Sequence, residues 1–220
     1  MTDHITLEMI DTDAAIQEAA DDAGLDTRSA FFRKSIYAGG TLAVGGLLMG
    51  GMPALASAAP SAAQDIKILN FALTLEYLEA AFYKRALSGS ALSGPARDLA
   101  KVINRHEAVH VTFLKKTLGT KAVKSPAFDF KDTVTNQDKF LATAFVLENT
   151  GVKAYLGQAG RIKNPAFLGA AATILTVEAR HAGAIAQLTG MKVSPSGSFD
   201  VGNSMAAILK AVKGTGFITG

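Results

Sequence analysis

The chain contains no cysteine. That excludes disulfides, thiolate metal sites and cysteine-held iron–sulfur clusters, so stability must come from the core or from a metal held without sulfur. Charge is missing from one long stretch, because no Asp, Glu, Lys, Arg or His occurs from Ser35 to Gln64. Glutamate is scarce beyond residue 60, where only Glu76, Glu79, Glu107, Glu148 and Glu178 occur. Methionine offers nothing for haem: Met49 and Met52 fall in or beside that uncharged stretch, and Met191 and Met205 lie outside the centre of the motif-bearing region. No nucleic-acid-binding motif is present, and no nucleic acid is expected as a partner.

The uncharged stretch reads as an export signal over residues 28–60. Arg28, Arg33 and Lys34 precede the apolar run SIYAGGTLAVGGLLMGGMPALASA, which ends in Ala56-Ser57-Ala58, a small-residue cleavage pattern. The segment TRSAFFRK resembles a twin-arginine translocation signal, with Ser29 where the second arginine should stand. The run is also long enough to span a bilayer, so an uncleaved anchor is the competing reading. Glycine pairs at 39–40, 45–46 and 50–51 lower its hydrophobicity and favour cleavage. Both readings predict a periplasmic or cell-envelope protein. Ahead of the signal, residues 1–27 form a leader with eight acidic side chains.

Residues beyond 60 hold 19 basic and 11 acidic side chains, a net charge of +8. Such a surface favours anionic envelope polymers or lipid headgroups. The lysines are scattered rather than clustered, which equally suits a plain solvated basic surface.

The same region reads as helix, an all-α bundle over residues 61–190 with an extension over 191–220. Segment A runs from about Asp65 to Leu87, opened by Ser61-x-x-Gln64, a capping-box pattern. Segment B runs from about Pro95 to Leu118 and stops at Gly119, with the proline in the first turn. Segment C starts near Thr135-x-x-Asp138 and ends around Gly160. Segment D opens at Asn164-Pro165 and closes at Gly190. Apolar residues recur at three- and four-residue spacing, as in Ile68, Phe71, Leu75, Leu78 and Phe82. Short Gly, Ser, Asn and Pro turns join A to B and C to D as antiparallel hairpins, whereas Gly119 to Val134 is long enough to run back along the bundle. A fifth short helix is predicted at roughly Asn203 to Lys213.

Four of the five glutamates fall about halfway along these segments: Glu76, Glu107, Glu148 and Glu178. At about 1.5 Å of rise per residue they share one central layer whichever way each helix points. His110 follows Glu107 by three residues and His181 follows Glu178 by three, so each pair lies on one helix face. The order is Glu, Glu-x-x-His, Glu, Glu-x-x-His, the ligand inventory of a two-metal carboxylate site in a four-helix bundle. Carboxylates in an apolar core need a positive partner, and a pair of divalent cations serves all four. The two halves also echo each other, since Tyr83 follows Glu76 by two helical turns and Tyr155 follows Glu148 by the same step.

These residues resemble the ferritin-like di-metal carboxylate superfamily over about residues 65–190, and in an exported chain most nearly its desiccation-related group. The resemblance implies a ferritin-like four-helix bundle with one long B–C crossover. It implies that Glu107 and Glu178 bridge two metals, with Glu76 and His110 serving one and Glu148 and His181 the other. Oxygen and imidazole ligands suit two iron ions, or alternatively two manganese ions. The implied activity is oxidation of Fe(II) by dioxygen or peroxide in oxidative or desiccation stress, or peroxide dismutation with manganese. The alternative is a non-catalytic envelope module in which the metals are a structural staple. Homo-oligomers are compatible with either.

Other side chains near the motifs read more plainly. Glu79 is expected as a surface acid paired with Lys84 or Arg85, and His106 as a capping or surface residue. Taken singly, Glu148 and Glu178 would pair with Arg180 or Lys153. Tyr83 and Tyr155 are core tyrosines that could also hydrogen-bond a ligand carboxylate.

Overall fold

The computed structural model describes residues 60–219; the leader and nearly all of the export signal, residues 1–59, lie outside the described residues. Five α-helices occur among them: α1 (Ala62–Ser88), α2 (Gly94–Leu118), α3 (Gln137–Ala159), α4 (Pro165–Thr189) and α5 (Met205–Thr215). Their ends follow local chemistry. The Ser61 hydroxyl accepts from the Gln64 N–H, and the side chains of Asn164 and Ser204 accept from Ala166 and Ala207 N–H at the starts of α4 and α5. Asn136 caps α3 through the Lys139 N–H, one residue past the predicted Thr135. The amide carbonyl of Asn136 reaches the third N–H of the helix without disturbing the short 3₁₀ turn, Lys131–Val134, that leads in.

Hydrogen bonds at the helix ends fix the topology. Both Asp65 carboxylate oxygens accept backbone N–H bonds from the α3–α4 turn, from Lys163 at 2.8 Å and Asn164 at 3.0 Å. At the other end, Gln137 Oε1 accepts from the Ser93 N–H in the α1–α2 turn. The start of α1 therefore meets the end of α3, and the two helices run antiparallel. The crossover leaves α2 beside the Asn70 amide, which bonds Lys121 O and Val123 N–H, and it reaches α3 at the opposite end. Up-down, crossover, down-up is the result. The C-terminal segment latches onto this crossover, with Asp129 N–H bonding Phe217 O and Thr219 N–H bonding Ala127 O.

Two apolar clusters fill the bundle. One is aromatic: Phe82 stacks on Phe140 at 5.1 Å and meets Tyr83 and Phe130 edge-on, with Ile208, Val212 and Phe217 from the C-terminal segment closing it. The other is mostly aliphatic and includes Leu69, Leu73, Leu114, Leu118 and Ile174. Each fully buried Leu or Phe contributes about 1.5–3 kcal/mol by leaving water. Among the described residues no helix is long and apolar enough to cross a membrane.

One close crossing depends on glycine. A Cβ at Gly157 of α3 would stand 2.0 Å from the Asn203 carbonyl oxygen. That approach lets the Asn203 N–H bond Lys153 O at 2.9 Å and seats α5 on the bundle. Gly157→Ala is expected to destabilise by about 1–3 kcal/mol through overpacking, despite alanine's better helix propensity. Chemical denaturation checks this, and an unchanged midpoint would mean that the α5 segment yields freely.

Candidate metal centre

Each bundle helix contributes to one buried layer between the two clusters. Glu76 comes from α1, Glu107 and His110 from α2, Glu148 from α3, Glu178 and His181 from α4. All four glutamates are fully buried, and both histidines are less than a tenth exposed. The six groups form two overlapping sets, Glu76, Glu107, His110 and Glu178, and Glu107, Glu148, Glu178 and His181. Within each set one ligand atom per residue lies within 4.8 Å of the others. Glu107 and Glu178 belong to both.

The imidazoles turn Nδ1 inward. His110 Nδ1 lies 3.2 Å from Glu76 Oε2 and 3.3 Å from both Glu107 Oε2 and Glu178 Oε1. His181 Nδ1 lies 3.0 Å from Glu148 Oε2 and 3.2 Å from Glu107 Oε1. Both oxygens of Glu107 and both of Glu178 are buried without a well-formed hydrogen bond. Orphaned carboxylate oxygens in a core cost several kcal/mol unless a cation meets them. The donor set therefore fits a pair of hard or borderline divalent ions.

The tyrosines reach this layer crosswise. Tyr83 of α1 donates to Glu148 Oε1 of α3 at 2.5 Å, and Tyr155 of α3 donates to Glu76 Oε1 of α1. Helix geometry explains the exchange. Side chains lean toward their helix's N-terminus, so each glutamate tilts away from the tyrosine two turns ahead on its own helix. In an antiparallel pair the same tilt brings it toward the tyrosine of the neighbour. Tyr155→Phe is expected to free Glu76 and weaken binding of one cation about tenfold. A metal titration reads the change, and equal affinity in the variant would remove this role.

A family model described as a ferritin-like domain matches residues 64–191. The chain belongs to the ferritin-like domain family. No curated protein matches the chain.

One acid expected on the surface belongs to this ferritin-like layer. Glu79 is not a surface acid: it is 3% exposed and forms no ion pair with Lys84 or Arg85. It sits three residues after Glu76 and four before Tyr83, on the inward face of α1, and that spacing was its signal. The matching place on α3 is Gly151, where an added Cβ would lie 3.0 Å from Glu178 Oε2. His106 is exposed, as expected, yet its Nδ1 meets His181 Nε2 at 2.8 Å, edge to edge with the ring centroids 5.1 Å apart. Arg180 bonds the Thr176 carbonyl instead of Glu178.

Charge in the layer is arranged around the two imidazoles. Burial opposes the charge on His110, but the carboxylates around it reverse that and push it up to about 12. The same balance pushes His181 up to about 9. Burial also disfavours the Glu107 carboxylate, which the adjoining His110 and His181 nonetheless hold down to about 2. Glu76 is pushed up to about 8 by burial and by its proximity to Glu107. Burial, reinforced by the neighbouring carboxylates, also raises Glu148, Glu178 and Glu79. Without cations the layer holds protons in their place.

Proposed function

We propose that the chain is an exported di-metal ferritin-like protein that oxidises Fe(II) with dioxygen or hydrogen peroxide, in defence against oxidative or desiccation stress. One observation carries the reading: the only groups common to both ligand sets, Glu107 and Glu178, are those whose oxygens are all orphaned. Glu76 and His110 would complete one cation position, and Glu148 and His181 the other. Two Fe(II) ions held there would supply one electron each, which is what the reduction of hydrogen peroxide to two hydroxide ions requires without release of a one-electron product. Manganese in the same ligands would support peroxide dismutation.

The chain's own residues set the conditions for this chemistry. Tyr83 and Tyr155 fix the orientation of Glu148 and Glu76. Leu73, Leu75, Leu78 and Ile103, all nearly or fully buried, keep bulk water from the layer. Beyond residue 60 the acids outside the layer are all aspartates, six against 19 basic side chains, so the basic excess lies outside the layer, as an anionic envelope partner would require.

Stopped-flow oxidation of Fe(II) by the full chain, with metal analysis of the same sample, tests the proposal. Two metal ions per chain and oxidation faster than in buffer are expected. Tight metal without turnover would leave the site a structural staple, and no bound metal would end the metal reading.

A further inference from the structure

His106 departs most from the bundle's internal symmetry. The residue before Glu107 on α2 is His106, whereas the residue before Glu178 on α4 is Val177. His181 has an imidazole behind it, with Nε2 2.8 Å from His106 Nδ1, ring centroids 5.1 Å apart and planes 15° from parallel, so the two rings meet edge to edge. Around His110 the corresponding wall is a surface depression lined mostly by apolar residues, Val109, Phe113, Ile174 and Val177, and its one hydroxyl, on Thr173, bonds the Ala170 carbonyl rather than the imidazole. Among the described residues, only carboxylates of the layer contact the His110 ring nitrogens as polar partners.

We propose that His106 is a positioning residue for His181, and that it makes the two cation positions inequivalent, the one served by Glu148 and His181 being the tighter. This rests on the metal reading of the layer. His181 presents Nδ1 to Glu107 and Glu148, so a cation there takes the Nδ1 lone pair. The ring's remaining proton then lies on Nε2 and donates to His106 Nδ1. With that acceptor in place, the tautomer and ring orientation that cation binding needs are already selected. The same Nε2–H bond holds when His181 carries both protons, so losing the Nδ1 proton to a cation breaks no contact on the outer side. His110 has no outer partner of this kind, and its ring is held only from within the layer.

Titration of the metal-free full chain with Co(II) alone, followed by its visible absorption, reads both positions. The wild type is expected to fill in two resolved steps. In His106→Ala the tighter step weakens about 10–100-fold and the other stays put, so the steps merge or exchange order. His106→Gln, whose amide oxygen accepts the same N–H, restores most of the loss. Val177→His supplies an outer imidazole beside His110 and tightens the weaker step. In the Zn(II)-loaded, ¹⁵N-labelled chain, the His181 Nε2–H proton exchanges slowly with solvent, and in His106→Ala it exchanges fast. A purely structural role would not move that proton.

Identical titrations of wild type and His106→Ala would overturn the proposal, as would equal weakening of both steps or a glutamine variant no better than alanine. Failure of the wild type to bind Co(II) at all sinks the metal centre and this inference with it. Binding at two positions indifferent to residue 106 sinks this inference alone.

Discussion

Glu178→Gln is expected to abolish tight binding of both cations and, at the same time, to raise the thermal midpoint of the metal-free protein. Glu178 belongs to both ligand sets, so its loss weakens each position, by more than the ~10–100-fold typical of removing an outer partner. Its effect on the empty bundle has the opposite sign. Glu178 is fully buried, both its oxygens are orphaned, and burial together with Glu107 and Glu148 raises its pKa well above the usual carboxylate range. A neutral amide of the same size removes the cost of keeping that carboxyl protonated in the fold. For a domain of this size, each 1 kcal/mol gained moves the midpoint by roughly 2–4 °C. Melts with and without chelator separate the effects: the wild type gains stability from added metal, and the variant starts higher and gains nothing. If the variant melts lower than wild type under chelation, the layer is held by a network in which Glu178 is a favourable member.

Loaded and empty protein are expected to respond to pH in opposite directions between about pH 5 and pH 9. In the empty protein His110 and His181 rise from 6.5 to about 12 and about 9, so their stabilisation is complete below 6.5 and lost as pH rises through those values. Glu76 rises from 4.5 to about 8, so the folded form keeps a proton that the unfolded chain has lost, and stability again falls over that window. Glu107 works the other way, lowered to about 2, but its contribution is already complete above 4.5 and disappears only in strong acid. Each proton held by the folded form alone tilts stability by about 1.4 kcal/mol per pH unit. Cations compete with those same protons, so affinity climbs with pH while the empty bundle weakens. Midpoints of chelated and metal-saturated samples measured across that range should diverge upward. A chelated protein whose stability is flat or rising from pH 5 to pH 9 would contradict the proton-filled layer. Stoichiometric metal at pH 4 would contradict the ligand set.

Much of this was legible because helical periodicity and spacing are local. Ser61, Pro95, Asn164 and the glycines at 119 and 190 mark helix ends by their own chemistry. The long stretch from Gly119 to Val134 required a crossover on length alone. The six carboxylate and imidazole positions followed from their order, and the bundle gathers all of them. Glu79 was misread because Lys84 and Arg85 offered ready partners, although its spacing from Glu76 and Tyr83 put it inward. The crossed tyrosine bonds were hidden for a different reason. A residue's own helix is visible in the sequence, but the tilt of its antiparallel neighbour is not. His106 had no local signal, since its contact is made across the α2–α4 seam.

The reciprocal bonds from Tyr83 and Tyr155 button one hairpin to the other on both flanks of the layer, and neither needs a cation to form. Preorganisation follows: an arriving ion would find Glu76 and Glu148 already oriented by these bonds. Loading would then exchange protons for cations in the interior of a bundle whose two hairpins these bonds already hold together.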